Sequence, residues 1–345
     1  MNRRDMIYDL STIWASVKEI FPYFDRLPFD WDAQYLAYLD KLLALPADDE
    51  GGFHQLLTQF IASLNDGHTE YYPPQAYRTE KPSYPLEPPS HSWQEGVLTI
   101  KLNEFLSDHS PYVRGLLEEH PDARLVRLDI RDNRGGTTAF SARVAELFIS
   151  GAFHGCQKWT QLRKANEVAT ASQTALSSRE SLQKYIDAGL MTEDEFEESR
   201  LILDHLKYEH YKDSYGAEGH TALYQGPLEI LISRRTFSAA EDFTAMFKTS
   251  RRGTLIGEPT GGSTGTPFFF KLRCGGSGRI VSVGYRLLDG TEFIGCGIQP
   301  DVFDRQTHNA DMSLFIPPET VALDSPSFRK AYAPLKGDFS PDGKR

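Results

Sequence analysis

Apolar residues recur at helical spacing through the first seventy positions. Ile13, Trp14, Val17, Ile20 and Phe21 share one face, and Pro22 ends the run. Asp30 or Asp32 caps a second segment carrying Tyr35, Leu36, Leu39, Leu42 and Leu43, which stops near Pro46. A third runs from about Gly52 through Phe53, Leu56, Leu57, Phe60, Ile61 and Leu64. Three short helices are predicted, forming a helical subdomain over residues 1–72. Residues 73–92 then change character. Pro73, Pro74, Pro82, Pro85, Pro88 and Pro89 can supply neither ladder donors nor helix interiors, so this stretch reads as an extended linker.

Beyond the linker the pattern alternates between strand and helix. Strands are predicted over 96–102, 125–130 and 228–233, with helices over 111–120, 139–149 and 238–248. Further short strands are expected over 254–257, 268–272, 280–285 and 292–294. Such alternation implies an α/β core, here spanning 93–310. Within it, residues 155–226 are polar and helix-rich, with a capping-box pattern at Thr192-Glu193-Asp194-Glu195. That block reads as a helical insertion: a lid, an assembly surface or a substrate funnel. Residues 311–345 are a C-terminal extension.

Composition narrows the function classes. The chain has 345 residues, 40% hydrophobic and 12% aromatic, which suits a folded protein with a sizeable core. Its net charge of −11 disfavours nucleic acid and anionic membrane as partners. Cys156, Cys274 and Cys296 are few, odd in number and without a C-x-x-C pair, which argues against a disulfide framework or a zinc knuckle. No apolar leader follows Arg3-Arg4, and no run approaches the length of a membrane span. A cytoplasmic location is the expectation.

Four stretches carry candidate chemistry. They are Leu64-Asn65-Asp66-Gly67-His68-Thr69, then Leu128-Asp129-Ile130-Arg131-Asp132-Asn133-Arg134-Gly135-Gly136, then Arg235-Thr236-Phe237-Ser238-Ala239-Ala240-Glu241, then Gly257-Glu258-Pro259-Thr260-Gly261-Gly262-Ser263. Gly297-Ile298-Gln299-Pro300-Asp301 closes the core. Ser238 stands at a strand-to-helix junction, where its hydroxyl projects and the amide of Ala239 can face a developing oxyanion. A second amide is available from Gly135 or Gly136, since glycine lets the backbone approach a bound carbonyl closely. Serine needs a base, and His68 is the candidate. A carboxylate would orient the imidazole. Taken singly, Ser238 is a helix cap and Asp-Gly-His-Thr a turn; their order and joint occurrence carry the argument. Gly261-Gly262-Ser263-Thr264-Gly265 fits the G-x-S-x-G elbow, but the strand-like Pro267-Phe268-Phe269-Phe270 follows where that motif needs a helix.

As a set, these motifs resemble the tail-specific, or C-terminal processing, serine peptidases, over about residues 8–305 and excluding much of the 155–226 block. The resemblance implies a core related to the Clp protease/crotonase spiral fold behind an N-terminal helical region. Carried onto this sequence, it implies Ser238 as nucleophile and the amides of Ala239 and the Gly135-Gly136 loop as oxyanion hole. Where the family's Ser-Lys branch has its lysine base, this chain has Ser263. That points to the branch similar to the tricorn core protease, with His68 as base. Gly67 stands where that branch has a serine. The closing acid implied is Glu292, with Asp289 and Glu241 as lesser candidates. The linker leaves no room for the peptide-binding insert common in processing proteases. The implied activity is hydrolysis of peptide or unfolded-protein substrates, with no metal or organic cofactor required and a homo-oligomer left open. The rival readings are a non-catalytic peptide-binding module on a decayed scaffold, and an esterase-type acyl hydrolase.

Overall fold

Short polar caps set the three N-terminal helices. Helix α1 (Arg3–Ile20) is capped by Asn2, whose side chain accepts from the Asp5 N–H. Asp30 accepts from Asp32 and Ala33 at the start of α2 (Trp31–Ala44), and Asp49 from Gly52 at the start of α3 (Glu50–Ala62). The computed structural model describes residues 1–78, 87–160 and 211–304, with a few isolated positions between 183 and 192.

The buried faces of these helices converge on one cluster. Met6, Leu10, Ile13, Val17, Leu42, Phe53 and Phe60 are buried together, and Trp31 stacks on Phe60 with ring centroids 4.5 Å apart. The same cluster includes Tyr71, Trp159, Leu272, Ile280 and Val281, so the helices share their core with later parts of the chain. Three of those residues come from an antiparallel sheet of β1 (Glu70–Tyr72), β9 (Pro267–Lys271) and β10 (Ser277–Val281), in the order β1-β10-β9. Met1–Asn309 forms one compact unit.

A buried carboxylate pins α1 to this sheet. Asp9 is fully buried and accepts the amides of Arg273 at 3.0 Å and Cys274 at 2.8 Å, in the turn between β9 and β10. Asp9→Ala leaves both N–H groups without that acceptor. It should destabilise the fold by roughly 2–4 kcal/mol, read as a lower urea midpoint at unchanged slope.

The central sheet has six strands: β2 (Ser90–Gln94), β3 (Val97–Lys101), β4 (Leu125–Asp129), β7 (Leu228–Ile232), β8 (Thr254–Gly257) and β12 (Val302–Phe303). Their order is β12-β8-β7-β4-β3-β2, all neighbours parallel except β2 with β3. Parallel neighbours require crossovers, supplied by α4 (Ser110–Glu119), α5 (Thr138–Ala145) and α6 (Ala239–Ser250). Leu98, Ile100, Val126, Leu128, Ile230 and Ile232 pack there with Phe243 and Phe247 of α6. Helix α6 is buried from Ala239 to Phe247, as a helix at the centre of an α/β unit must be.

Several expected elements differ. The polar 155–226 block opens and closes in strands: β5 (Phe153–Thr160) pairs with β6 (Tyr211–Tyr215) and with β11 (Val283–Arg286) in a third sheet. The burial pattern of β5 follows strand alternation up to a bulge, which charge density alone obscures. Residues 161–210, including the capping-box pattern, lie outside the described residues apart from the isolated positions, as do 79–86 of the linker and 305–345. Strand β2 occupies the end of the expected linker. The strand expected over 280–285 is broken at Ser282, which sends β10 and β11 into different sheets. Residues 292–294 form no strand; Gly295 N–H instead donates to Gly262 C=O at 2.6 Å.

Candidate active site

Three loops leave the C-terminal ends of parallel strands β4, β7 and β8 and meet a fourth between α3 and β1. Ligand sites in open α/β sheets form at this end. After β4, the fully buried Asn133 fixes the loop: its amide nitrogen donates to Leu102 C=O at 3.1 Å, and its oxygen accepts Gly135 N–H at 2.9 Å. After β7, Thr236 plays the same part. Its hydroxyl donates to Ile130 C=O at 3.0 Å and accepts Ser233 N–H at 3.0 Å. Phe237 N–H then reaches Asn133 C=O at 3.0 Å, tying the two loops edge to edge.

That clamp holds Ser238 in an unusual conformation. Its φ of 57° and ψ of −128° lie in a region that non-glycine residues rarely occupy. The strained turn puts Ser238 at the N-terminus of α6, with its hydroxyl clear of the helix and its carbonyl accepting Glu241 N–H at 2.7 Å. Gly135, at φ +98°, is pressed against it: a Cβ there would lie 2.7 Å from Ser238 Cβ and 2.8 Å from Ala239 N. No larger residue fits between the loop and the serine.

His68 comes from the α3–β1 loop. Asp66 accepts its amide at 3.0 Å, Thr69 accepts Val281 N–H at 3.0 Å, and the ring stacks on Phe237 at 4.8 Å and 7°. Its Nε2 is 3.0 Å from Ser238 Oγ, and its Nδ1 is 2.8 Å from Ser263 Oγ. Burial, with the nearby Arg279 guanidinium adding to it, pushes the imidazole pKa down to about 3. The ring is therefore neutral at physiological pH and able to take a proton.

Below the pair sits Glu241, fully buried in the first turn of α6. It accepts Thr260 Oγ1–H at 2.6 Å, Gly262 N–H at 2.8 Å and Ser263 N–H at 2.7 Å. Burial lifts its carboxyl to about 7, against the pull of these three donors. Asp242 beside it accepts Thr138 Oγ1–H at 2.6 Å and Thr264 Oγ1–H at 2.9 Å, linking the loops on either side of Ser238.

A profile of known protein families matches residues 96–303 as Peptidase family S41. The chain belongs to peptidase family S41. Among curated proteins, the C-terminal processing peptidase of the chloroplast from Tetradesmus obliquus is 31% identical over 91 residues, 26% of this chain and 20% of that protein. The match thus spans about a fifth of that relative's length. Among solved structures, a Parabacteroides merdae protein assigned as a peptidase superposes with a TM-score of 0.64 at 18% identity, covering 91% of this chain and 93% of its own. Mature CPAF gives 0.62 at 11% identity over 87% and 92%, and the photosystem II D1 C-terminal processing protease 0.53 at 14% over 92% and 98%. At these identities the structural likenesses show the shared fold, which is mixed α/β as expected. No helix of the described residues is long and apolar enough to cross a membrane.

In this S41 chain the expected site residues divide. Ser238, His68, Ala239 and the glycine loop are brought together. The Gly135 amide, however, is taken by Asn133, whereas among the described residues the amides of Gly136 and Ala239 donate to no group. Gly136 bridges Phe105 in parallel register through the flanking Gly135 C=O and Thr137 N–H, which turns its own N–H to the opposite side. Glu292 is not brought to His68. Both its oxygens take the Arg26 guanidinium, at 2.8 and 3.0 Å, in a half-exposed ion pair with the N-terminal region. Asp289 accepts Thr291 N–H at 2.8 Å in an exposed turn. Glu241 is nearest in function, yet it contacts the amide of Ser263 and not the imidazole. Ser263 drew notice in the sequence as the serine of a G-x-S-x-G pattern and as the residue in a lysine's place, and nothing there gave Asn133 or Phe237 a supporting role.

Proposed function

We propose that this chain hydrolyses peptide bonds through an acyl-enzyme on Ser238. The observation that carries the reading is the 3.0 Å approach of Ser238 Oγ to His68 Nε2, made by a serine in a strained turn at a helix N-terminus. Ser238 Oγ attacks the substrate carbonyl carbon while its proton passes to Nε2. The carbonyl oxygen, now an anion, is received by the amides of Ala239 and Gly136. His68 returns the proton to the leaving amine as the C–N bond breaks. Water then attacks the ester, with His68 acting as base again, and releases the acid and Ser238. A non-catalytic binding module has no need of a serine hydroxyl held on a neutral imidazole, and the geometry favours the enzyme.

An active-site serine probe of the fluorophosphonate type tests this. It should form one adduct with the wild-type chain, mapped to Ser238 by mass spectrometry, and none with Ser238→Ala. Equal labelling of both proteins would remove Ser238 from its role. Comparing p-nitrophenyl esters with an unfolded protein substrate separates a peptidase from an esterase, and the expected result is turnover of both, abolished together in Ser238→Ala.

A further inference from the structure

Resting on the Ser238–His68 reading, we propose that Ser263 is the positioning residue of the base: its hydroxyl oxygen accepts the Nδ1–H of His68 and thereby keeps Nε2 free to receive the Ser238 proton. The hydroxyl lies 2.8 Å from Nδ1 and is the group that faces that nitrogen in place of a carboxylate. Ser263 is 6% exposed, so water does not compete freely for either atom.

The backbone of Ser263 is fixed at both ends. Its N–H donates to Glu241 Oε2 at 2.7 Å, and its C=O accepts the Ser238 N–H at 3.0 Å. One residue therefore registers the base through its side chain and the nucleophile through its carbonyl. Gly67 makes this possible. A Cβ there would come within 2.9 Å of Ser263 Oγ and 3.0 Å of the Phe237 ring, so the missing side chain is the space the hydroxyl and the stacked ring use.

A hydroxyl differs from a carboxylate in what it does for the imidazole. Nδ1 carries a proton in both the neutral ring and the imidazolium, so the Ser263 oxygen accepts from it before, during and after proton transfer at Nε2. The Nδ1 proton never leaves the ring. Orientation and tautomer are held without a negative charge on Nδ1, and the Glu241 carboxylate reaches this hydroxyl through the Ser263 amide. This agrees with a ring whose pKa is low rather than raised.

Nitrogen-15 spectra of the histidine-labelled full chain, recorded without substrate, test the arrangement alongside steady-state kinetics. In the wild type, His68 should be the Nδ1–H tautomer; in Ser263→Ala it should become a mixture. The same variant should lose about 100-fold in kcat with KM changed by less than about threefold, since orienting partners of this kind act on the chemical step. Ser263→Thr, which keeps the hydroxyl, should recover most of the rate and the single tautomer. An Nε2–H tautomer in the wild type overturns the proposal. So does Ser263→Ala with wild-type tautomer and kcat, or with a lowered melting temperature and an unchanged tautomer. Ser238→Ala assayed in parallel keeps the readings apart. If it retains full activity the peptidase reading fails, while the tautomer still decides the place of Ser263.

Discussion

His68→Ala should lower kcat/KM for an unfolded protein substrate by about 10⁶-fold, the order of loss when the base of a serine–histidine unit is removed. The structure offers no substitute. Among the described residues, the group 3.0 Å from Ser238 Oγ is His68 Nε2, and Glu241 is committed to three donors beneath the site. The same ring fixes the pH dependence. A general base works in its neutral form, and a pKa near 3 in place of 6.5 keeps His68 neutral well into acid. The acid limb that His68 contributes to kcat/KM should therefore lie far below the usual imidazole range, while a limb near 7 that Glu241→Gln removes belongs to the Glu241 carboxyl. A limb near 6.5 that persists in Glu241→Gln would contradict the buried geometry. Stability has a matching sign. At His68 the folded state binds fewer protons than the unfolded state between about pH 3 and 6.5, so this contribution is complete above 6.5 and is lost as pH falls through that window; Glu241, raised from 4.5 to about 7, has the opposite sign.

Glu241→Leu should be the most damaging substitution for the fold around the site. It removes the acceptor of Thr260 Oγ1, Gly262 N and Ser263 N, all buried. At about 1–3 kcal/mol for each orphaned donor, and with some return from the apolar side chain, roughly 3–6 kcal/mol should be lost. The Ser263 carbonyl holds the Ser238 amide, so activity should fall by more than stability alone explains. Urea denaturation followed by tryptophan fluorescence gives the first quantity, and probe labelling of Ser238 in the folded variant gives the second. Glu241→Gln keeps one accepting oxygen and turns an NH2 toward a donor, so it should fall between the two. A Leu variant with the wild-type midpoint would mean that the three donors find other partners.

What the sequence reveals here tracks how local each interaction is. Helices α1 to α3 are legible because their apolar residues recur at helical spacing and Pro22 and Pro46 mark where the first two end. The strands flanking Gly135 and Ser238 are legible because their apolar runs end in glycine or in a polar junction. The meeting of Ser238 and His68 is foreshadowed by motif order. A contact from Glu292 to His68 does not form, because Glu292 is drawn away by Arg26, 266 positions earlier, and no local pattern encodes that ion pair. Strand β5 hides for a related reason: its partner β11 is over a hundred residues away, and its own polar residues resemble a solvated helix. The corner at Ser282 is not marked in the run over 280–285, which reads as one strand, since each half pairs with a different part of the chain. Ser263 shows the reverse case. It is noticed for what it replaces, and its contact with Nδ1 depends on a glycine at 67 that leaves room for it.

Ser238 and His68 stand 170 positions apart, one at the head of α6 and the other in a loop anchored to the N-terminal helices and the β1-β10-β9 sheet. A growing chain emits His68 early and has no Ser238 to give it until well past the midpoint of synthesis. Strand β10, which pairs with the strand after His68, comes later still. Such distant pairings form late in folding, since closing long loops precedes any gain from the contact. Unfinished or partly folded copies thus lack an assembled Ser238–His68 pair, and any reactivity that the pair confers waits on the completed fold.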